Sequence, residues 1–184
     1  MLKKTLILIA ASAVFTMLWF NGLERLWAHV LTFSSNTFIS IGSDETQIAL
    51  ENRDEEMIFR VTTLIDGKRG SYPQRAQSLL LPTVIVLSWL PLLFFSLPGK
   101  TAARQSFTNM AIFLLFQVFF MILLTFYYNS AFAKYLFHLM MEAFYIIALG
   151  IIIKDAFKYP HIWKASLSKQ PQNQQPSKPW KSTS

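Results

Sequence analysis

Apolar residues arrive along this chain in four blocks, and the segments between them follow other patterns. The blocks run from Thr5 to about Phe20, from Leu79 to Leu97, from Phe107 to about Tyr128 and from Tyr135 to Ile153. Each approaches the ~20 residues that cross a hydrocarbon layer at about 1.5 Å per residue. A turn of about six residues between the third and fourth blocks requires them to run antiparallel as a helical hairpin. In the second block Pro82 falls in the first turn, where proline costs little, so the spacing predicts any kink at Pro91. Pro98 and Gly99 then end that helix.

Between the first two blocks the period changes twice. Residues Gly22 to Phe33 place Leu23, Leu26, Trp27, Val30 and Leu31 on one helical stripe, which predicts an amphipathic extension of the first helix with a bend at Asn21-Gly22. From Thr37 to Ile65 the period becomes two. TFISI, TQIAL and MIFRVTTLI read as the strands of a three-stranded antiparallel meander, turning at Ser43-Asp44-Glu45 and Asn52-Arg53-Asp54-Glu55. Met57, Phe59, Val61, Thr63 and Ile65 share one face of the last strand, and Ile58, Arg60, Thr62 and Leu64 the other. Roughly 30 residues of sheet are too few for an independent core, so the sheet needs the amphipathic helix, a membrane or another protein as its cover. A glycine-containing loop from Asp66 to Arg75 follows. Its Lys68, Arg69 and Arg75 form a candidate anion or partner loop, against the simpler reading of a solvated connector; the GxxxxGK[ST] phosphate-loop spacing is missing.

Composition supports lipid as the solvent of the four blocks, because 53% of the 184 residues are hydrophobic and only 15% are charged. The formal charge of +7 accompanies no nucleic-acid recognition motif and is better explained by membrane topology. Lys and Arg counts favour a cytoplasmic side holding both termini, by ten to seven, and much of the smaller total sits in the long segment after the first helix, where the rule has less force. Lys3 and Lys4 before an apolar run without a credible cleavage site predict an uncleaved signal anchor. With no cysteine, disulfides, thiolate nucleophiles and zinc ribbons are excluded. The segment 163–184, rich in Gln, Pro, Ser and Lys, is expected to be a disordered basic cytoplasmic tail.

The expected architecture is therefore a mainly α membrane protein of four transmembrane helices, N-in and C-in, with a small extracytoplasmic β-meander between helices 1 and 2. Its divisions are 1–33 for the signal anchor and amphipathic extension, 34–78 for the β segment and basic loop, 79–162 for helices 2 (79–97), 3 (107–128) and 4 (135–153), and the tail. Within the spans, Glu142 stands out, since a carboxyl group in lipid must be protonated, paired or turned to a polar cavity. His138 and Tyr145 share its helix face. Gln117 lies at similar depth, about 14 Å against about 16 Å from the same side, and Ser88 and Thr16 fall near that level. Two readings stay open: an interhelical hydrogen-bond cluster that sets packing, or a proton-handling or ligand-binding pair of Glu142 and His138. No metal-ligand set and no catalytic motif is present, and no cofactor is expected.

The order of a signal-anchor helix, a small β segment, LLLPTVIVLSWLPLLFFSLP and a Gln-bearing helix in FLLFQVFF resembles small accessory membrane proteins of bacterial exosortase systems. The resemblance is architectural and spans residues 1 to 128. It implies an inner-membrane partner of a sorting machine and carries over no catalytic residue. The expected function is a non-enzymatic accessory or scaffold protein whose β segment and helices bind a membrane-protein partner or a second copy, in contact with membrane lipids and not with nucleic acid. The alternative is a small transporter or channel subunit working at Glu142 and His138.

Overall fold

The computed structural model describes residues 2–53, 56–65 and 67–162, and the side chains of Glu142 and His161 are outside the description. The expected tail, 163–184, and the turn residues Asp54, Glu55 and Asp66 also lie outside it. Six α-helices and three strands follow in chain order among the described residues: α1 (Leu2–Leu18), α2 (Glu24–Ile39), β1 (Gln47–Arg53), β2 (Glu56–Ile65), β3 (Lys68–Arg75), α3 (Gln77–Leu80), α4 (Pro82–Ser96), α5 (Gly99–Thr125) and α6 (Ala131–Lys158). Three helical stretches are long and apolar enough to cross a membrane, and α6 makes a fourth if its 53° bend between Ala131–Met141 and Ala143–Lys158 is one broken span.

The bend expected at Asn21-Gly22 is present. Gly22 adopts φ +116°, which an L side chain rarely tolerates, and Asn21 Nδ2 donates to the Met17 carbonyl at 2.7 Å, satisfying the end of α1. In the second block Pro91 lies inside α4, and α3 and α4 meet at Leu81, whose own backbone is helical at φ −55° and ψ −40°. Proline at the first position of α4 has no N–H to continue α3, so the short helix stops where the longer one starts. The last two helices are longer than their apolar blocks predict. Helix α5 begins at Gly99, not Phe107, and α6 runs from Ala131 to Lys158, not from Tyr135 to Ile153. In α5 a buried row continues through Ala102, Gln105, Ser106, Asn109, Phe113 and Gln117, at helical spacing but with polar members that hydropathy does not count.

A three-stranded antiparallel meander lies between α2 and α3, but its strands are shifted by one from the expected set. TFISI forms the end of α2 and the turn after it, TQIAL lies largely in β1, MIFRVTTLI is β2, and the basic loop is the third strand, β3. Two turns of α2 after Phe33 bury Ser35 and Ile39 against the sheet and its neighbours, and this tertiary contact overrides the local period-two signal. The register pairs Ile48 with Val61 and Val61 with Tyr72, placing all three on the inner face with Phe59. That face packs on α2 and α5, so the chain itself supplies the cover. The other face holds Ile58 and Leu64 together with two ion pairs: Arg60 Nε meets Glu51 Oε1 at 2.6 Å, and Arg75 Nε meets Glu56 Oε2 at 3.1 Å. Asn36 of α2 closes part of the sheet edge, accepting from the Ile48 N–H at 2.9 Å and donating to its carbonyl at 2.8 Å.

The buried side of α2 is turned from the expected stripe. Ala28, Leu31, Ser35 and Ile39 face inward, Trp27 is half-buried, and Leu26 and Val30 are exposed. Ala28 and Ser35 are small, which allows the helix to lie close to its neighbours. Helix α4 is central, packing on α1, α5 and α6. Its most apolar stretch with α3 is 56% buried, whereas α1 has no buried residue, so α1 is a peripheral helix whose Leu6, Ile9, Val14 and Met17 face outward.

The two ends of the bundle differ. At one, the sheet is tied down by the Tyr72 hydroxyl, which donates to the Leu124 carbonyl, and by Asn129 Nδ2, which donates to the Leu64 carbonyl. At the other, Ile7 and Leu8 of α1 meet Trp89, Leu92 and Leu93 of α4, Ala102 of α5 and Ile162 in a separate small core. The first and last described segments therefore lie at the end opposite the sheet.

Burial, with smaller contributions from Tyr128 and Tyr127, lifts the Tyr72 phenol above its usual value. Because the folded-state value is raised, this term stabilises fully below the ordinary phenol value of about 10 and is lost as pH rises beyond it. Thermal unfolding between neutral pH and pH 11 is expected to show an alkaline loss that Tyr72→Phe flattens, alongside about 1 kcal/mol lower stability at neutral pH. An equally steep alkaline limb in the variant would remove Tyr72 as its source.

Candidate functional site

The far end of the bundle contains a buried charged centre. Asp155, one turn before the end of α6, is fully buried, and both carboxylate oxygens are engaged. Oδ1 accepts from Gln105 Nε2 at 2.7 Å, while Oδ2 accepts from Trp89 Nε1 at 2.9 Å and from Asn109 Nδ2 at 2.6 Å. Gln105 and Asn109 lie four residues apart on α5 and so share a face, Trp89 projects from α4, and the centre joins three helices. Neutral N–H donors stabilise a carboxylate held away from water.

The two amides also look outward. Lys154 Nζ donates to Asn109 Oδ1 at 2.7 Å, and Lys158 Nζ donates to Gln105 Oε1 at 3.2 Å. Tyr159 OH lies 3.4 Å from the same Gln105 oxygen. A carboxylate only accepts and an ammonium only donates, so a single orientation of each amide satisfies both neighbours. Each amide thus bridges carboxylate and lysine, with Lys154 Nζ also 3.5 Å from Asp155 Oδ1. Outside this layer lies an open cleft of about 570 Å³, with Lys100 and Arg104 of α5 on one side and Lys154, Lys158 and Tyr159 on the other.

A second polar junction sits about 12 Å further along α5, at a rise of about 1.5 Å per residue. Gln117 is fully buried: its Oε1 accepts from Trp27 Nε1 at 2.9 Å, and its Nε2 donates to the Leu79 carbonyl at 2.9 Å and to Thr83 Oγ1 at 3.2 Å. One side chain therefore fastens α2, α3, α4 and α5 beside the point where α3 and α4 meet.

The expected cluster is distributed differently. Gln117 is buried and bonded, but its partners are Trp27, Leu79 and Thr83. Ser88 is buried and donates to the Val84 carbonyl of its own helix at 2.7 Å. Exposed His138 Nε2 lies 3.2 Å from the hydroxyl of half-buried Tyr127, while Tyr145 and Thr16 are exposed on their helices. Glu142 belongs to α6, with its side chain outside the described residues. Lys68, Arg69 and Arg75 are not in a loop but on β3, where Arg75 pairs with Glu56. No group of three potential metal-ligating side chains occurs among the described residues.

Hydropathy misses the Asp155 centre because it ends the helices too early. Starting α5 at Phe107 drops Gln105, and ending α6 at Ile153 drops Asp155. A usable signal exists in the acidic residues: of ten Asp and Glu, all but Glu142 and Asp155 lie between Glu24 and Asp66. A carboxylate isolated among Lys154, Lys158 and a polar i, i+4 pair is the mark of a buried polar centre rather than of a solvated face.

The fold defines a class, a mostly helical bundle of three to four apolar helices with a three-stranded antiparallel sheet inserted after its first helical arm. Comparison with protein-family models, curated proteins and solved structures yields no match.

Proposed function

We propose that the chain is an integral inner-membrane protein that crosses the bilayer four times and acts as a non-catalytic accessory or scaffold subunit. The carrying observation is the spacing of its two polar ends. Gln105 in the charged centre and Leu124 beneath the sheet are separated by about 28 Å of α5, close to the ~30 Å hydrocarbon thickness. Between them the outward surface is apolar, including Leu115, Phe116 and Phe119 of α5 and Ile146, Leu149 and Ile153 of α6. Lys3, Lys4, Lys100, Arg104, Lys154 and Lys158 lie at the end opposite the sheet, while most cations of the sheet end sit in the long segment between α1 and α4, where the positive-inside rule has less force, so the rule favours a cytoplasmic cleft, an extracytoplasmic sheet and both termini inside.

Scaffolding is favoured by what the polar groups already do. Asp155, Gln105, Asn109 and Gln117 are consumed in bonds between helices, a role that holds a shape. Binding then falls to the exposed length of α1 and the charged outer sheet face, with a membrane protein or a second copy as the partner. The element order suggests an exosortase-type sorting system as the setting.

A cysteine-free chain makes topology directly testable. An impermeant maleimide applied to right-side-out vesicles is expected to label Ser71→Cys and to spare Ala103→Cys until the membrane is opened; equal labelling of both would refute the orientation. A photocrosslinker replacing Val14 on α1 is expected to give a protein adduct of defined mass. Lipid adducts alone, there and at neighbouring α1 positions, would count against the scaffold.

A further inference from the structure

We propose that the cleft above Asp155 binds a phosphate group, presented by the headgroup of an anionic lipid or by a free phosphate ester. The inference deepens the membrane reading and takes its placement at the cytoplasmic surface from it.

Charge imbalance is the first reason. Four cations, Lys100, Arg104, Lys154 and Lys158, line one cleft of about 570 Å³, and Asp155 is the only carboxylate at their base. Three N–H groups already occupy its two oxygens. Lys100 and Arg104 have no ion pair among the described residues. Nor does the nearby chain offer one, because Glu142 lies about 18 Å from Lys154 along α6 and every other Asp or Glu precedes Gly67. Four clustered cations repel one another, and an anion held in the cleft relieves this.

Preorganisation is the second. The Asn109 and Gln105 carbonyls hold Lys154 and Lys158 at the cleft floor, and each ammonium has three donors of which the amide takes one. Arg104 adds a planar guanidinium suited to two phosphate oxygens at once. Thr101 brings a hydroxyl to the same wall, in the first turns of α5, where helix N–H groups favour an anion. Phosphate fits this donor set better than carboxylate, since its oxygens can meet donors converging from both α5 and α6. The buried Asp155 centre acts as the foundation, fixing the two lysines through the amides while adding only one negative charge.

The test uses the full chain in neutral detergent, with Lys100→Gln/Arg104→Gln as the variant. Both side chains are exposed and outside the Asp155 centre, so the fold should survive. Lys68→Gln/Arg69→Gln removes equal charge at the sheet end and serves as control. Native mass spectrometry is expected to show phosphatidylglycerol retained about tenfold more than phosphatidylcholine by the wild type and control, with the preference lost in the cleft variant, consistent with a screened pair of phosphate contacts. Inorganic phosphate and glycerol phosphate, read by thermal shift, separate the sources. Stabilisation by phosphatidylglycerol alone assigns a lipid headgroup, whereas stabilisation by the soluble phosphates, abolished in the cleft variant, assigns a free ester. No anion preference, or equal loss in the control, overturns the site. Failure of the membrane reading would instead appear in the maleimide pattern, which the cleft variant should leave unchanged.

Discussion

Asp155→Ala is expected to cost about 3–5 kcal/mol of stability, the range for removing one partner of a buried charged centre. The loss is larger than that of one hydrogen bond because several groups are stranded together. Trp89 Nε1, Gln105 Nε2 and Asn109 Nδ2 would all face an apolar gap where the carboxylate stood. Lys154 and Lys158 would keep their amide oxygens but lose the negative charge behind them. Asp155→Asn should be intermediate, since its amide offers one accepting oxygen and places an NH2 group against donors. Unfolding of the purified protein in detergent, followed by loss of helical circular dichroism, measures the series. Replacing Gln105, Asn109 and Asp155 together by leucine should recover part of the Asp155→Ala loss, because fewer polar groups are left buried and unpaired. A single Asp155→Ala protein as stable as the wild type would show that the centre does not hold α4, α5 and α6 together.

Gln117→Leu should have the next largest effect, about 2–3 kcal/mol, through the Trp27 N–H and the Leu79 carbonyl that it leaves unbonded. Four helices meet at this residue, so its loss should loosen the α2 contact and the α3–α4 junction together. A double-mutant cycle with Trp27→Phe isolates the shared hydrogen bond: the second change should cost much less in the Gln117→Leu background. Strict additivity of the two would mean that Trp27 and Gln117 act independently. Ser88→Ala is the matched contrast, since Ser88 bonds only within its own helix and should change stability far less.

The two residues also mark how much of the site could be read without coordinates. Gln117 is visible as a polar residue in an apolar run, and its importance for packing follows from the cost of burying an amide. Its partners are not visible, because Trp27 is 90 residues away and the Leu79 carbonyl 38, each on another helix. Asp155 is harder still, since it stands in a lysine-rich stretch that reads as a solvated flank. Only the approach of α5, bringing Gln105 and Asn109, turns that flank into an interior.

Local sequence was enough for the properties that depend on neighbours along the chain. The four apolar blocks, the bend at Asn21-Gly22, the period-two alternation of β2 and the antiparallel hairpin of α5 and α6 all follow from spacing, backbone freedom and short connections. Tertiary structure decided where each element ends and what each polar group meets. Helix α2 absorbed the first expected strand because its burial against the sheet outweighed a weak β preference, and the basic loop became β3 because β2 offered it a partner. The cationic cleft exists for the same reason: Lys100 and Arg104 come from one helix and Lys154 and Lys158 from another, and only packing around Asp155 sets them around one cleft. Periodicity reports which side of an element is apolar, but distance between elements is a product of packing, and the chemistry of this protein lies in those distances.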